Sequence, residues 1–329
     1  MDNKIDFVVL WVDSGDPKWQ KMYSDFTGKP ISGENNRYRD WGMLKYWFRA
    51  VEKYAPWVNN VYFVTCGQKP GFLNVNHPKL KMISHSDYIS GEYLPTFNSN
   101  VIELNLMNIP ELSEHFVLFN DDIFLNAPVD KEDFFVNGLP CDGAILDMVL
   151  PLGENDFFYH AILNNIDIIN KLYDKKSVMS KNKKAWYKLS YGEGLIRNIL
   201  LTPWKYFGGF KDYHLVNSYL KSSFETVYHK EKDAFERTYN NHFRNWNDIT
   251  HYLVRYYQLC EGLFYPKKKN GRYFAIGKDT DGIVQAISEE KYKVICLNDN
   301  SDDIDFESNK KAIIDAFEKK LPEKSSFEL

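Results

Sequence analysis

The sequence predicts an α/β fold built on a mostly parallel sheet, with a helical subdomain attached. Three observations carry this. Apolar, β-branched runs alternate with segments of helical period over the first 150 residues, the pattern of βαβ units whose sheet is covered on both faces. From residue 150 to 265 the character shifts to long helical stretches rich in Tyr, Lys and Asn. A last apolar strand and an amphipathic tail follow. The chain therefore divides into a core (1–150), a helical subdomain (151–265) and a return to the core sheet (266–329).

Each element has its own warrant. The run from Ile5 to Val12 is apolar and β-branched apart from Asp6, as in a strand buried on both faces. Asp13-Ser14-Gly15-Asp16 ends it in a turn, and Pro17 is placed to open a helix through Tyr23. Residues 28–36, rich in Gly, Pro, Ser and Asn, read as a loop. Asp40 is a candidate N-cap for a helix in which Leu44, Trp47, Phe48 and Val51 share one face. Strands are expected over 60–65, 80–84 and 116–119, with a helix carrying Val101, Leu104 and Leu106. A final strand over 293–297 precedes a helix over 305–321.

Composition excludes several function classes. The chain has 329 residues, 44% of them hydrophobic, enough to bury about 75% of the surface its unfolded form exposes. Forty-one Lys and Arg stand against 45 Asp and Glu, which is not the basic balance of a nucleic-acid binder. The densest basic run, Lys267-Lys268-Lys269, reads as a solvated turn. Four dispersed cysteines (Cys66, Cys141, Cys260 and Cys296) make no metal pair and suit buried thiols in a reducing compartment. With no signal-peptide pattern and no span-length apolar run, the expectation is a cytoplasmic protein with at most a peripheral membrane contact. The absence of GxSxG, GxxxxGK[ST] and a strand-linked GxGxxG argues against an α/β-hydrolase, a P-loop enzyme and a dinucleotide dehydrogenase.

Open α/β sheets hold ligands beyond the carboxyl ends of their strands. Three strand ends here carry acids: Asp13 and Asp16, Asp121 and Asp122, and Asp299. Adjacent carboxylates suit a hard divalent cation, although Asp and Asn also end strands for turn chemistry alone. Arg37, Arg39 and Arg49 flank the second helix. A guanidinium fork matches phosphate, and it equally serves surface ion pairs with Asp40 and Glu52.

Longer stretches carry a resemblance. IDFVVLWVDSGDPKW (Ile5 to Trp19), the almost ungapped run from Arg37 to Leu125, a looser match from Tyr213 to Gly262, and ICLND (Ile295 to Asp299) together resemble the conserved regions of the Stealth family. These are bacterial capsular-polysaccharide phosphotransferases related to GlcNAc-1-phosphotransferase. The resemblance implies a Rossmann-like sheet of the nucleotide-sugar transferase kind. It also implies a reaction in which a UDP-sugar gives its sugar-1-phosphate to a hydroxyl of an oligo- or polysaccharide, lipid-linked or free, with release of UMP. Mg²⁺ or Mn²⁺ would rest on Asp121, Asp122 and Asp299. Arg37 and Arg244 would neutralise the transferred phosphoryl group, His214 would take the acceptor proton, and Asp13 would act beside them. Asp16, Asp40, Arg49, Asn98, Ser99 and Glu103 would bind the donor. Trp41, Lys45 and Cys66 depart from the family's usual residues near the donor loop. A metal-dependent glycosyltransferase releasing UDP and a non-catalytic carbohydrate scaffold remain as alternatives.

Overall fold

The computed structural model describes residues 4–29, 40–151, 153, 156–299 and 305–329. Its strands in chain order are β1 (Ile5–Leu10), β2 (Val61–Thr65), β3 (Leu80–Ser84), β4 (His115–Phe119), β5 (Ile123–Leu125), β6 (Phe135–Val136), β7 (Leu139–Asp142), β8 (Asn217–Leu220), β9 (Tyr265–Pro266), β10 (Gly271–Ala275) and β11 (Val294–Asn298). The main sheet has the order β3-β2-β1-β4-β8. Its first four strands are parallel and only β8 runs against its neighbour. This is the mostly parallel α/β sheet that the alternating pattern predicts.

Both faces of that sheet are buried, and the alternation of side chains explains how. Ile5, Phe7 and Val9 of β1, Val61 and Phe63 of β2, and Val117 and Phe119 of β4 enter one core. Val8, Tyr62, Val64, Phe116 and Leu118 enter the other. Each fully buried side chain of this kind contributes about 1.5–3 kcal/mol. On the first face the helix Leu44–Tyr54 turns Leu44, Trp47, Phe48 and Val51 inward. On the second the helices Phe157–Leu172 and Tyr252–Glu261 bring Ile162, Ile166, Leu253 and Tyr256.

The structure corrects several expectations. Asp40 does not cap the helix, which begins at Leu44; its carboxylate takes the Gly42 N–H at 2.7 Å in a local turn. The chain rejoins the main sheet within the stretch read as helical, because β8 pairs with β4. The last strand does not return to that sheet. With β8 on its edge, β11 instead pairs parallel with β10 and antiparallel with β5, the short strand made directly after Asp122. The lysine run is no solvated turn either: Lys267 bridges Asp133 at 2.9 Å, and Lys269 donates to the Val216 carbonyl at 2.9 Å. All four cysteines are free, three of them buried.

Arg49 also differs from expectation, since it faces away from the ligand cleft. Its guanidinium is buried and grips both oxygens of Glu328, at 2.9 and 3.0 Å, and the Leu321 carbonyl at 2.7 Å. This fork ties the end of the chain to the second helix. Arg49→Met strands the buried Glu328 carboxylate and is expected to cost about 3–5 kcal/mol, readable by urea unfolding. Burial opposes ionisation of Glu328, but the Arg49 and Ser325 hydrogen bonds prevail and hold its carboxyl below the ordinary value of 4.5. A carboxyl lowered on folding gives stability above that ordinary value and loses it as pH falls through the folded one. The gap between wild type and Arg49→Met should therefore narrow in acid. An equal gap at neutral and acid pH would remove the ion pair from the account.

Candidate active site

The sheet order reverses at β1: the chain goes from β1 to β2 on one side and later to β4 on the other. Beyond the carboxyl ends of strands at such a switch point, open α/β sheets leave a crevice. Here it is a cavity of about 690 Å³, within the range of small-molecule and cofactor sites.

Nine residues singled out from sequence line it. Asp13 follows β1, Asp121 and Asp122 follow β4, and Asp299 follows β11. Asp40, Ser99 and Glu103 come from the loop and helix on the near side, and His214 and Arg244 close it from the second half of the chain. Asp299 arrives from the second sheet, not the main one, and the link is direct: the Leu297 N–H donates to the Asp122 carbonyl at 2.8 Å. Trp41 donates its indole N–H to Asp299 at 3.2 Å. Trp41 and Cys66 both line the cavity, whereas Lys45 lies 3.6 Å from Glu318.

Three others are placed elsewhere. Asp16 caps the helix Pro17–Thr27, accepting from the Lys18 N–H at 2.9 Å, and that bond first of all holds its carboxyl below the ordinary range. Asn98 is fully buried and caps the helix Ser99–Leu104. Arg49 is the tail clamp already described. Arg37 lies outside the described residues.

Asp121 and Asp122 are neighbours with opposite titration. Asp122 Oδ2 accepts from Asn298 at 2.8 Å and from the Cys296 thiol at 3.3 Å, and lies 3.5 Å from His214 Nε2. Burial opposes its charge, but the His214, Asn298 and Cys296 hydrogen bonds hold it below the ordinary carboxylate range. Its Oδ1 is buried with no hydrogen-bond partner among the described residues. Asp121 has no comparable set of donors among the described residues. Crowding by the surrounding protein, then the adjacent Asp122 charge, raise its carboxyl above the usual range, although the cavity keeps it open to solvent. Two carboxyls driven apart in this way are a common mark of sites that do chemistry.

His214 is held in an uncommon backbone conformation, with φ 46°, a left-handed region that costs a residue with a β-carbon roughly 1–2 kcal/mol. The Asp212 carboxylate pins it there by accepting the His214 N–H at 2.9 Å. Burial works against the imidazolium, but the Asp122 contact outweighs it and raises the His214 pKa above its ordinary value. The Tyr273 ring packs against the imidazole nearly at right angles, the two ring centres 5.7 Å apart.

Arg244 donates to Ser99 Oγ at 2.8 Å. Its loop is fixed by one buried carboxylate, Asp248, which accepts from Asn98 at 2.9 Å, Asn100 at 3.0 Å, the Asn245 N–H at 2.9 Å and Asn241 at 2.7 Å. Asn98 thus acts on the cavity through the loop that carries Arg244. Glu103, pushed up to about 7 by burial against the pull of Arg244 and His214, lies 3.7 Å from His251. Sequence reasoning missed Asp212, Asp248 and Asn298. Clustering of Asn and Asp in Asn240-Asn241 and Asn245 to Asp248 was the available signal for the second of these.

A second cavity of about 690 Å³ adjoins the first. Ser99, Glu103, Asn120, His214, Arg244 and Asn298 line both. It is also lined by the rings of Phe158, Tyr159, Tyr213, Tyr252 and Tyr273. His214 and Arg244 therefore stand on a shared wall, with the strand-end acids on one side beside Trp11, Trp19, Trp41 and Phe97, and a second set of aromatic rings on the other.

Fold and site define a class: an α/β protein with an acidic, His- and Arg-bearing cleft at the switch point of a parallel sheet. The comparisons with known proteins narrow it. Residues 37–141 match the Stealth protein CR2, conserved region 2, and residues 285–329 match the Stealth protein CR4, conserved region 4. The chain is 48% identical to the capsular polysaccharide phosphotransferase WcwK of Streptococcus pneumoniae, covering 99% of this chain and 98% of that one. It is 43% identical to the exopolysaccharide phosphotransferase cps2G of Lactiplantibacillus plantarum, covering 98% and 96%. It is 38% identical to the receptor polysaccharide phosphotransferase WefC of Streptococcus oralis, covering 99% and 100%. The chain belongs to the Stealth family, and its full-length relatives are phosphotransferases.

Proposed function

We propose that this protein transfers a sugar-1-phosphate from a UDP-sugar to a saccharide hydroxyl in cell-surface polysaccharide synthesis, releasing UMP. The observation that carries this reading is the wall of His214 and Arg244 between two cavities. The acidic cavity suits a donor diphosphate held through a cation. The ring-lined cavity suits an acceptor sugar, whose apolar faces stack on aromatics.

The residues fit a hard divalent cation such as Mg²⁺ or Mn²⁺. Asp122 Oδ1 is a buried carboxylate oxygen lacking a donor among the described residues, and Asp121 beside it gains from a positive neighbour. His214, Asp122 and Cys296 also cluster within 4.8 Å, a set that would suit a softer metal. Burial and the Asp122 charge raise the Cys296 thiol well above its ordinary pKa, and the thiol donates to Asp122 Oδ2 at 3.3 Å. Asp121 and Asp122 would hold the cation with Asp13 or Asp299, and it would neutralise charge on the diphosphate.

The protein's own groups do the rest. With Nε2 of His214 carrying its proton toward Asp122, the other ring nitrogen is left to accept the acceptor hydroxyl's proton. The acceptor oxygen forms a bond to the β-phosphorus as the bond from that phosphorus to the UMP oxygen breaks. Arg244, fixed by Ser99 and the Asp248 hub, offsets charge on the phosphoryl oxygens, with Arg37 assigned the same task from sequence. Phosphoryl transfer asks mainly for such positioning and charge compensation. The sugar C1–O bond stays intact, so anomeric configuration is kept.

Incubating the protein with a UDP-sugar, Mg²⁺ and a capsule-type oligosaccharide should release UMP, and EDTA should stop it. Release of UDP would mean that the bond on the other side of the β-phosphate breaks, as in a glycosyltransferase.

A further inference from the structure

We infer that the face around the helix Glu193–Leu201 docks on an anionic lipid surface. Soluble surfaces scatter single apolar residues, whereas a contiguous apolar face marks a contact. Asn198 is buried and turned inward, donating to the Ala144 and Trp186 carbonyls. Ile196 and Leu200, two residues to either side, therefore point outward by helical spacing. They are 60% and 68% exposed, Leu189 just before the helix is 85% exposed, and Trp204 just after it is 54% exposed. Tyr206 is exposed beside Trp204. Trp and Tyr at the rim of an apolar face are the residues that settle at lipid headgroup depth.

Charge identifies the partner. Ten Lys and Arg fall between Lys171 and Lys211 against two acids, in a chain whose net charge is −4. Lys176, Lys181, Lys183, Lys184 and Lys205 are exposed. A basic, apolar-tipped face on an otherwise acidic protein fits a negatively charged bilayer, where basic side chains lie among headgroups and apolar ones enter between them. A second copy fits poorly, because an isologous contact would set these lysines against their own equivalents. The face is also preformed: buried Lys175 donates to the Leu201 carbonyl at 2.6 Å and the Trp204 carbonyl at 3.1 Å, fixing the turn that presents Trp204.

Its position gives it a use, which rests on the acceptor reading above. Arg197 pairs with Asp147 and Met148 packs on Gly208, so exposed Met148 and Leu150 adjoin this face. Val149, next to Met148, and Lys211, which lies 3.6 Å from Asp147, line the ring-bearing cavity. Docking here brings that cavity's entrance to the lipid surface, where a saccharide chain carried on a lipid would be found.

Sedimentation of the full chain with vesicles tests the surface without any substrate. Binding to phosphatidylglycerol vesicles should exceed binding to phosphatidylcholine vesicles by about tenfold or more and weaken with salt. L200E/W204E should lose vesicle binding, and K183Q/K184Q/K205Q should lose the preference for anionic lipid. Both variants should release UMP from a soluble acceptor at the wild-type rate. Equal sedimentation with and without vesicles, or undiminished binding by both variants, would overturn the inference. So would a wild-type dimer that L200E/W204E converts to monomer in the absence of vesicle binding. Vesicle binding without UMP release would instead leave the surface standing and remove the proposed reaction.

Discussion

Asp122→Asn is expected to lower turnover by about 10⁴-fold, the scale seen when a carboxylate that orients a catalytic histidine is neutralised. Two consequences combine in this one change. The amide removes the negative charge next to the buried Oδ1 position, an oxygen lacking a donor among the described residues. It also leaves at most a neutral oxygen facing His214 Nε2 at 3.5 Å, so the imidazole loses the charge that raises its pKa and the charge-assisted contact that orients it. The fold should survive, because an amide oxygen can still accept from Asn298. Asp121→Asn separates the two effects. It weakens cation affinity without touching His214, so added Mg²⁺ should restore part of its activity and none of that lost in Asp122→Asn. Cation titration followed by steady-state rates distinguishes the variants. Wild-type turnover in Asp122→Asn would remove the acidic pair from the mechanism.

His214→Ala should reduce kcat by about 10²–10⁴-fold, the usual worth of a positioned general base, with donor binding nearly unchanged. The backbone adds a second expectation that a simple packing role would not produce. With φ at 46°, any side chain at this position bears the cost of the left-handed region. His214→Gly should therefore be more stable than His214→Ala by about 1 kcal/mol while being equally inactive. Stability and activity then move independently at one residue. Thermal unfolding together with kcat reads both quantities. A rise in KM alone, at unchanged kcat, would place His214 in acceptor binding and leave the proton without an acceptor.

The sheet was legible because its evidence is local. Runs such as Ile5 to Leu10 are apolar at every position but Asp6, and a strand covered on both faces accommodates them. Strand partners are not local. Nothing in Val294–Asn298 distinguishes an edge on the main sheet from a place beside β5, and the choice follows from β8 occupying that edge. The strand-end acids were equally readable, since a carboxylate just beyond a buried parallel strand has few places to go except the crevice. Arg49 was misread for the converse reason. Its partner Glu328 is 279 residues away, so sequence reasoning saw a cation beside the donor loop and had no view of the tail that neutralises it. Asn98 was read as a ligand contact, but it is a buried link to the Asp248 hub. The same residue type serves either use, and only burial separates them.

The claim that sugar and phosphate move together is tested most directly with a UDP-sugar labelled at the β-phosphorus. After reaction with the oligosaccharide acceptor, the label is expected in the saccharide product as a phosphodiester, with unlabelled UMP released in equal amount. Label retained in UDP beside an unphosphorylated glycoside would contradict it.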